Sequence, residues 1–269
     1  MTTRIIHHEG HTIYEALHTD DLREAIHEAS ERSIDLSGAM LEGADLHRLD
    51  LEGMVFAGAR LAGASFRNAN LERASLEGAD LRGAHLQGCN MEDVILVRAV
   101  LEGASARGAN LENARIEEAR ADNVDFEGAN LEHAKLDSAS LLGACFRRAN
   151  LERSSFLKAR ATAAYFSHAN LERASFCDAD LSGAVFGATN LEKCDFRGAR
   201  LLDAVFVGAN LEKCDFRGAD LTRTNFTEAN LEKADLRNVR IDATNFTGAN
   251  LHKAIGLDGP APIEGGPYR

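Results

Sequence analysis

The chain has 269 residues, a formal net charge of −12, no Trp and only 3 Pro. That charge disfavours a phosphate-binding role and leaves a basic protein partner, or mimicry of a polyanion. No apolar run reaches membrane-spanning length and Met1-Thr2-Thr3-Arg4 leads into no signal-peptide core, so the expectation is a soluble cytoplasmic protein with no membrane partner; an uncleaved export signal would escape this reading.

Residues 1–33 stand outside the pattern that fills the rest of the chain. Thr19 to Ser30 reads as a short helix, with Thr19 as its cap and early acids that suit the positive end of the helix dipole. Leu22, Ala25, Ile26 and Ala29 form one narrow apolar stripe. Such a helix is expected to lie on an open end of the next domain, and Ile5, Ile6, Ile13, Tyr14 and Leu17 add an extended segment to it. His7, His8, His11, His18 and His27 also fall here. His7 and His11 have a spacing that could bind metal on a helix. Gly10 sits between them and no acidic or Cys partner completes a set, so a solvated surface without metal is expected.

From residue 34 a five-residue frame takes over. Positions ending in 1 or 6, from Leu36 to Leu251, carry Leu, Phe, Ile, Met or Ala without a slip, and all 13 Phe fall there. Two residues earlier stands a small residue, usually Ala. The frame runs for 44 pentads. Asn recurs every 20 residues from Asn70 to Asn250, as does Glu from Glu52 to Glu232, so four pentads make one larger unit. Most glycines follow the large residue by two, as at Gly38 and Gly218, where a turn needs positive φ. Their alternation with Arg, Lys, Asn and His suggests more than one turn type. A fixed short period dictates a solenoid. Ala106 and Ala121 occupy large-residue positions close together, which marks a thinner stretch of core.

Units such as Ala69-Asn70-Leu71-Glu72-Arg73 and Ala219-Asp220-Leu221-Thr222-Arg223 resemble the pentapeptide-repeat family over about four fifths of the chain. The resemblance implies a right-handed quadrilateral parallel β-helix, an all-β solenoid with four pentads per coil. The 20-residue period supports that coil length by itself. The expected organisation is an N-terminal cap with a short helix (1–33), a β-helix of about 11 coils (34–255) and an irregular Gly/Pro-rich tail (256–269).

Cys89, Cys194 and Cys214 take inward positions as small hydrophobes. Cys194 and Cys214 stack on adjacent coils, but no paired framework is visible and free thiols are expected. No phosphate loop, nucleophile elbow or Cys-x-x-Cys occurs, and the acids recur by repeat rather than as a converging pair. An enzyme and a bound cofactor are therefore not expected.

What remains is surface. The Glu column, with Arg153, Arg173, Lys193, Lys213, Lys233 and Lys253 beside it, reads first as a solvated face with cross-coil charge pairing. Its functional reading is a partner-binding face made of Glu112, Glu132, Glu152, Glu172, Glu192, Glu212 and Glu232. The function expected is a non-enzymatic protein-binding rod or scaffold, without direct nucleic-acid binding. The resemblance adds an alternative. Some family members mimic DNA and bind type II topoisomerases, which would make DNA gyrase or topoisomerase IV the partner; a secreted bacterial effector is another. The unbroken frame and the Gly/Pro tail depart from those relatives, which carry loops or a frame break and a C-terminal dimerising helix. The last coil, built from Leu236, Ile241, Phe246 and Leu251, has only Ile255, Leu257 and Ile263 to cover it, so a homodimer through the C-terminal coil is expected.

Overall fold

The computed structural model describes residues 2–17 and 19–257. Strand β1 (Thr2–Ile6) pairs antiparallel with β2 (Thr12–Leu17), with a register shift between Ile5 and Ile6. Helix α1 follows over Leu22–Glu31. Its cap is Asp21 rather than Thr19: an Asp21 carboxylate oxygen accepts from Arg23 N at 2.8 Å. Thr19 stands one step further out, where its hydroxyl accepts from Asp21 N and donates to Glu24. Ala25, Ile26 and Ala29 are buried, as the apolar stripe predicts, and join one core with Ile5, Tyr14 and Leu36. Leu17 does not join it and is 58% exposed.

The hairpin is hydrogen-bonded to the start of the repeat. Met40 N donates to Ile6 O at 2.8 Å and His8 N to Gly38 O at 2.9 Å. Gly38 is needed twice over. Its φ is +67, and a Cβ there would lie 2.1 Å from His7 Nε2. No side chain fits between that corner and the histidine ring.

Parallel bridges then join each residue ending in 0 or 5 to the one 20 further on, from Met40–Arg60 to Asp235–Ile255. Each coil is therefore four pentads. Each side supplies one bridge-paired residue and its flanking amides. Leu36 N donates forward to Val55 O and Arg60 N back to Ala39 O, both at 2.8 Å, and this pattern repeats along the rod. This main-chain pairing excludes proline from four of every five positions in the frame, all but those ending in 2 and 7, whose amides donate no main-chain bond among the described residues.

The corners are uniform, contrary to the mixed turns that their composition suggests. Every residue ending in 3 or 8, from Gly38 to Lys253, has φ between 53 and 73, whether it is Gly or not. The turn closes by a bond such as Ala44 N to Leu41 O at 3.1 Å. Positive φ at the third residue is what a type II turn demands. The geometry of four short sides imposes it, and non-glycine residues there accept a left-handed conformation that costs roughly 1–2 kcal/mol.

The inward positions ending in 1, 4, 6 and 9 are buried from Leu36 to Leu236. The three remaining positions are not equally exposed. Those ending in 3 or 8 mostly stand in solvent, while those ending in 0, 5, 2 and 7 are mostly half-buried against their neighbours in adjacent coils. Two Phe columns fill the second half of the rod. Phe126 to Phe246 stack at centroid spacings of 4.6–5.3 Å. Phe156, Phe176, Phe196 and Phe216 form the opposing column, and the two meet edge to face at 5.8–6.3 Å. Both arrangements suit the ring quadrupole. Ala106 and Ala121 remain enclosed. Their amides bond to Asp125 O and Ser140 O, each at 2.7 Å, so the backbone ladder passes the small residues intact.

All five cysteines are free. Cys194 and Cys214 do stack by coil, but each thiol donates to a carbonyl 23 residues back, Leu171 O and Leu191 O, at 2.9 Å. Thr189, Thr224 and Thr244 use the same acceptor position. Burial pushes the Cys89 thiol up to about 12. At the far end Val239, Ile241, Ala249 and Leu251 are only partly buried and Ile255 is 50% exposed. Ile263 and the tail from 258 on lie outside the described residues.

Candidate interaction face

The face that carries the Glu column is built on a ladder of side-chain amides. Asn70 Nδ2 donates to Asp50 Oδ1 at 2.9 Å. Each later Asn donates to the Asn one coil before it, through to Asn250 on Asn230 at 2.8 Å. The same Oδ1 accepts from a backbone amide two residues on: Glu152 N reaches Asn150 Oδ1 at 3.4 Å. Each interior Asn thus uses both ends of its amide, and the sequence-level 20-residue period has this chemical cause. Two-ended hydrogen bonding polarises a chain of amides in one direction.

The Glu side chains flank this ladder. Asn130 Nδ2 also donates to Glu112 Oε2 and Asn150 Nδ2 to Glu132 Oε2, both at 3.3 Å. The structure brings Glu112, Glu132, Glu152, Glu172, Glu192, Glu212 and Glu232 into one column, as the period predicts, but their charge is not uniform. Lys193 Nζ lies 2.8 Å from Glu192 and 3.6 Å from Glu172. Lys213 bridges Glu212 and Glu192, and Lys233 bridges Glu232 and Glu212. Arg153 reaches Glu152 at 3.3 Å and Glu132 at 3.8 Å. The contacts of Lys193, Lys213 and Lys233 hold the carboxyls of Glu192, Glu212 and Glu232 below their ordinary value. Further up, Glu92 and Glu112 make no ion pair among the described residues, because the neighbouring corners are Asp93 and Asn113. The column is paired at its start, where Arg73 reaches both Glu52 and Glu72, and again from Glu132 on, and is open between them at Glu92 and Glu112.

A second charged column was not singled out from the sequence. Arg197, Arg217 and Arg237 each clamp the Asp two residues earlier, with Nη2–Oδ2 distances of 2.6 Å. Each clamp holds its Asp carboxyl low in Asp215 and Asp235. The signal was available: Cys194-Asp195-Phe196-Arg197-Gly198 recurs unchanged at Cys214 to Gly218. On another side Tyr165 and Val207 are exposed at 39% and 38%, beside half-buried Val185 and Val205. Arg147 lies over the Tyr165 ring at 4.8 Å.

Concavities on this surface are open. One groove of about 530 Å³ runs along a corner between Asn113, Arg115, His133, Lys135, Arg153 and Ser155. Its cations face solvent, and Arg115 and Arg153 are already held by Glu117 and by the Glu column.

The N-terminal histidines are arranged otherwise than the helical spacing suggests. His7 and His11 belong to a hairpin turn, with their rings stacked at 4.4 Å, and His8 lies 4.1 Å from His7. An acidic partner is present after all: His7, Glu9 and His11 each offer a ligand atom within 4.8 Å of the others. Burial, then His8 and His11, lower the His7 pKa. A further group, Asp125, Glu127 and Cys145, is also close together. There Arg107 reaches Asp125 at 3.1 Å and Glu127 at 2.8 Å, and burial raises the Cys145 thiol.

A family model for pentapeptide repeats matches the chain eight times, over 55–93, 84–120, 95–132, 114–153, 162–198, 179–218, 199–241 and 219–255. Among solved structures the chain is similar to HetL, a pentapeptide repeat protein involved in heterocyst differentiation regulation from the cyanobacterium Nostoc sp. strain PCC 7120, at 27% identity, covering 90% of this chain and 99% of that one, with a TM-score of 0.40. It is similar to trypsin-treated QnrB1, a plasmid-mediated fluoroquinolone resistance protein, at 18% identity over 80% of this chain and 87% of that one, with a TM-score of 0.43. It is also similar to a pentapeptide repeat protein from the Arabidopsis thaliana thylakoid lumen, at 27% identity over 47% and 70%, with a TM-score of 0.18. No curated protein matches the chain significantly.

Proposed function

The chain belongs to the pentapeptide-repeat family, and we propose that it is a non-enzymatic rod that binds another protein through the face carrying the Asn and Glu columns. One observation carries this reading. The inward positions are filled by apolar side chains, while the outward ones form ordered ladders fixed before any partner arrives. A pre-ordered surface loses little conformational entropy on binding. Glu112, Glu132, Glu152, Glu172, Glu192, Glu212 and Glu232 are the proposed contact residues. The test is a pull-down with the intact chain from a cytoplasmic extract, repeated with Glu112, Glu132 and Glu152 changed to Lys. Recovery of the same protein by both forms would remove the face from consideration.

The proposed rod is right-handed, with about 11 coils and a length of about 53 Å at roughly 4.8 Å per coil. The proposed divisions are a cap over 1–33 that includes α1, the coils over 34–255 and a tail over 256–269. A compact sphere in small-angle scattering would exclude them. Half-exposed Ile241 and Leu251 support a homodimer joined at the C-terminal coil. Light scattering at micromolar concentration that gives a monomer defeats that assembly.

Mimicry of DNA toward gyrase or topoisomerase IV is the second reading, supported by the net charge of −12. Pairing of Glu172 to Glu232 with lysines weakens it, since a mimic of a phosphate chain needs unpaired charge at regular spacing. A gyrase supercoiling assay with added protein separates the two. Inhibition, or protection from a quinolone, would favour mimicry.

A further inference from the structure

We propose that the tip of the β1–β2 hairpin binds one divalent transition-metal ion of the zinc or nickel class through His7, Glu9 and His11. The turn creates the site. His7 N donates to His11 O at 2.9 Å and Gly10 N to His7 O at 2.8 Å, which folds the chain back within five residues. His7 and His11 then stand side by side with Glu9 at the apex. Three of the chain's 10 histidines, His7, His8 and His11, fall in this one tip. Two imidazoles and a carboxylate are a donor set that suits zinc or nickel and is too nitrogen-rich for magnesium or calcium.

The three ligand atoms lie within 4.8 Å of one another. Bonds of about 2.0–2.2 Å to a shared ion would bring them closer by roughly an ångström. Nothing in the core resists that contraction. Glu9 is 71% exposed in its side chain and His11 is exposed. His7 is the fixed member. Its Nε2 lies on Gly38, so Nδ1, 3.9 Å from Glu9 Oε2, is the nitrogen that faces the site. Nδ1 now accepts from Glu9 N at 3.1 Å, and the ion takes the place of that bond. Stacked rings direct their lone pairs in parallel, so His11 must also turn toward the ion. His8 remains on the first coil, with Nδ1 3.2 Å from Gly38 O. The Asp125, Glu127 and Cys145 group is the weaker candidate, since Arg107 already occupies both carboxylates. Because His7 and His8 seat the hairpin on the first coil, a bound ion ties metal occupancy to the stability of the N-terminal end.

The experiment is calorimetric titration of the intact protein with zinc chloride, and separately with nickel chloride, in a non-chelating buffer near neutral pH. The expected result is saturable binding of one ion per chain, weakened at least tenfold in His11→Ala and in Glu9→Gln. Both residues are exposed, so the variants fold. His133→Ala and His252→Ala should bind as the parent does. Zinc should raise the melting temperature of the parent and not of His11→Ala. Absence of saturable binding, or binding unchanged in the His11→Ala, Glu9→Gln double variant, overturns the site.

Discussion

Replacing Phe186 by Ala probes the core where it is most completely specified. The ring is fully enclosed. It stacks on Phe166 at 4.7 Å and Phe206 at 4.6 Å, and meets Phe176 and Phe196 edge on at 6.0 and 6.3 Å. Truncating a buried Phe costs about 3–5 kcal/mol, and each lost aromatic pair is worth roughly 0.5–1.5 kcal/mol beyond area. The cavity cannot close easily, because Phe186 N is held to Val205 O at 2.7 Å and Val185 N to Ala164 O at 2.9 Å. The loss should therefore fall near the upper end, about 5 kcal/mol. Gly187→Ala is the control. Its φ lies outside the left-handed region, and an added Cβ meets nothing closer than 3.9 Å, so the change should stay within about 0.5 kcal/mol. Urea unfolding followed by far-UV circular dichroism reads both, with amide exchange at Phe186 and Phe206 as the local check. Equal losses for the two variants would refute the assigned frame.

Ala188, at φ +53, should gain from Ala188→Gly by roughly 0.5–1 kcal/mol, since relief of a left-handed Ala outweighs the added chain entropy; a lower urea midpoint would contradict this. Asn150→Asp keeps the acceptor for Asn170 but sets an oxygen 3.0 Å from Asn130 Oδ1 and 3.3 Å from Glu132 Oε2, so it should cost about 1–3 kcal/mol by thermal melt. Asn250→Asp, at the exposed end of the ladder, should cost less. For pH, Glu192, Glu212 and Glu232 have carboxyls held below their ordinary 4.5 by the lysines. The folded state then binds protons less readily than the unfolded one, so this stabilisation is complete above the ordinary value and is lost as pH falls through the folded values. Melting temperature should decline in that acid range, and decline less once Lys193, Lys213 and Lys233 are Gln.

The frame was legible because an inward side chain recurs at a fixed interval, and the coil length because Asn70 to Asn250 share one bonding role. What could not be read came from the chain's path. Thr19 and Asp21 both satisfy the rule for a helix cap. Only the start of α1 at Leu22, with Asp21 extended and its carboxylate accepting from Arg23 N, shows that Asp21 is the cap and Thr19 lies outside it. His7 and His11 have the same separation on a helix and across a tight turn, and only the turn brings Glu9 between them. Corner composition suggested several turn types, yet Lys193 and Gly198 have φ of 63 and 66. Closure of the coil overrides local preference there. The half-burial of positions such as Asn150 and Glu152 depends on neighbours 20 residues away, which no single pentad reveals.

The Glu column itself offers the sharpest separation of structural from recognition roles. Glu212 accepts from Lys213 and Lys233 at 2.8 and 3.4 Å, so its charge is spent within the rod. Glu112 receives Asn130 Nδ2 and no cation among the described residues. Long-range attraction of a basic partner follows net local charge, and a neutralised pair contributes little to it. Glu112→Lys should therefore slow association with a basic partner several-fold and flatten its salt dependence, while leaving the melting temperature nearly unchanged. Replacing Glu212 and Lys213 together by Gln removes an opposite-charge pair without changing net charge, so it should leave association nearly unchanged and lower the melting temperature, less so at high salt. Association kinetics with the partner recovered by pull-down, together with melts at low and high salt, read both variants. If the Glu212→Gln, Lys213→Gln double variant slows association as much as Glu112→Lys does, the paired and open segments recognise the partner alike, and local charge balance does not decide where it docks.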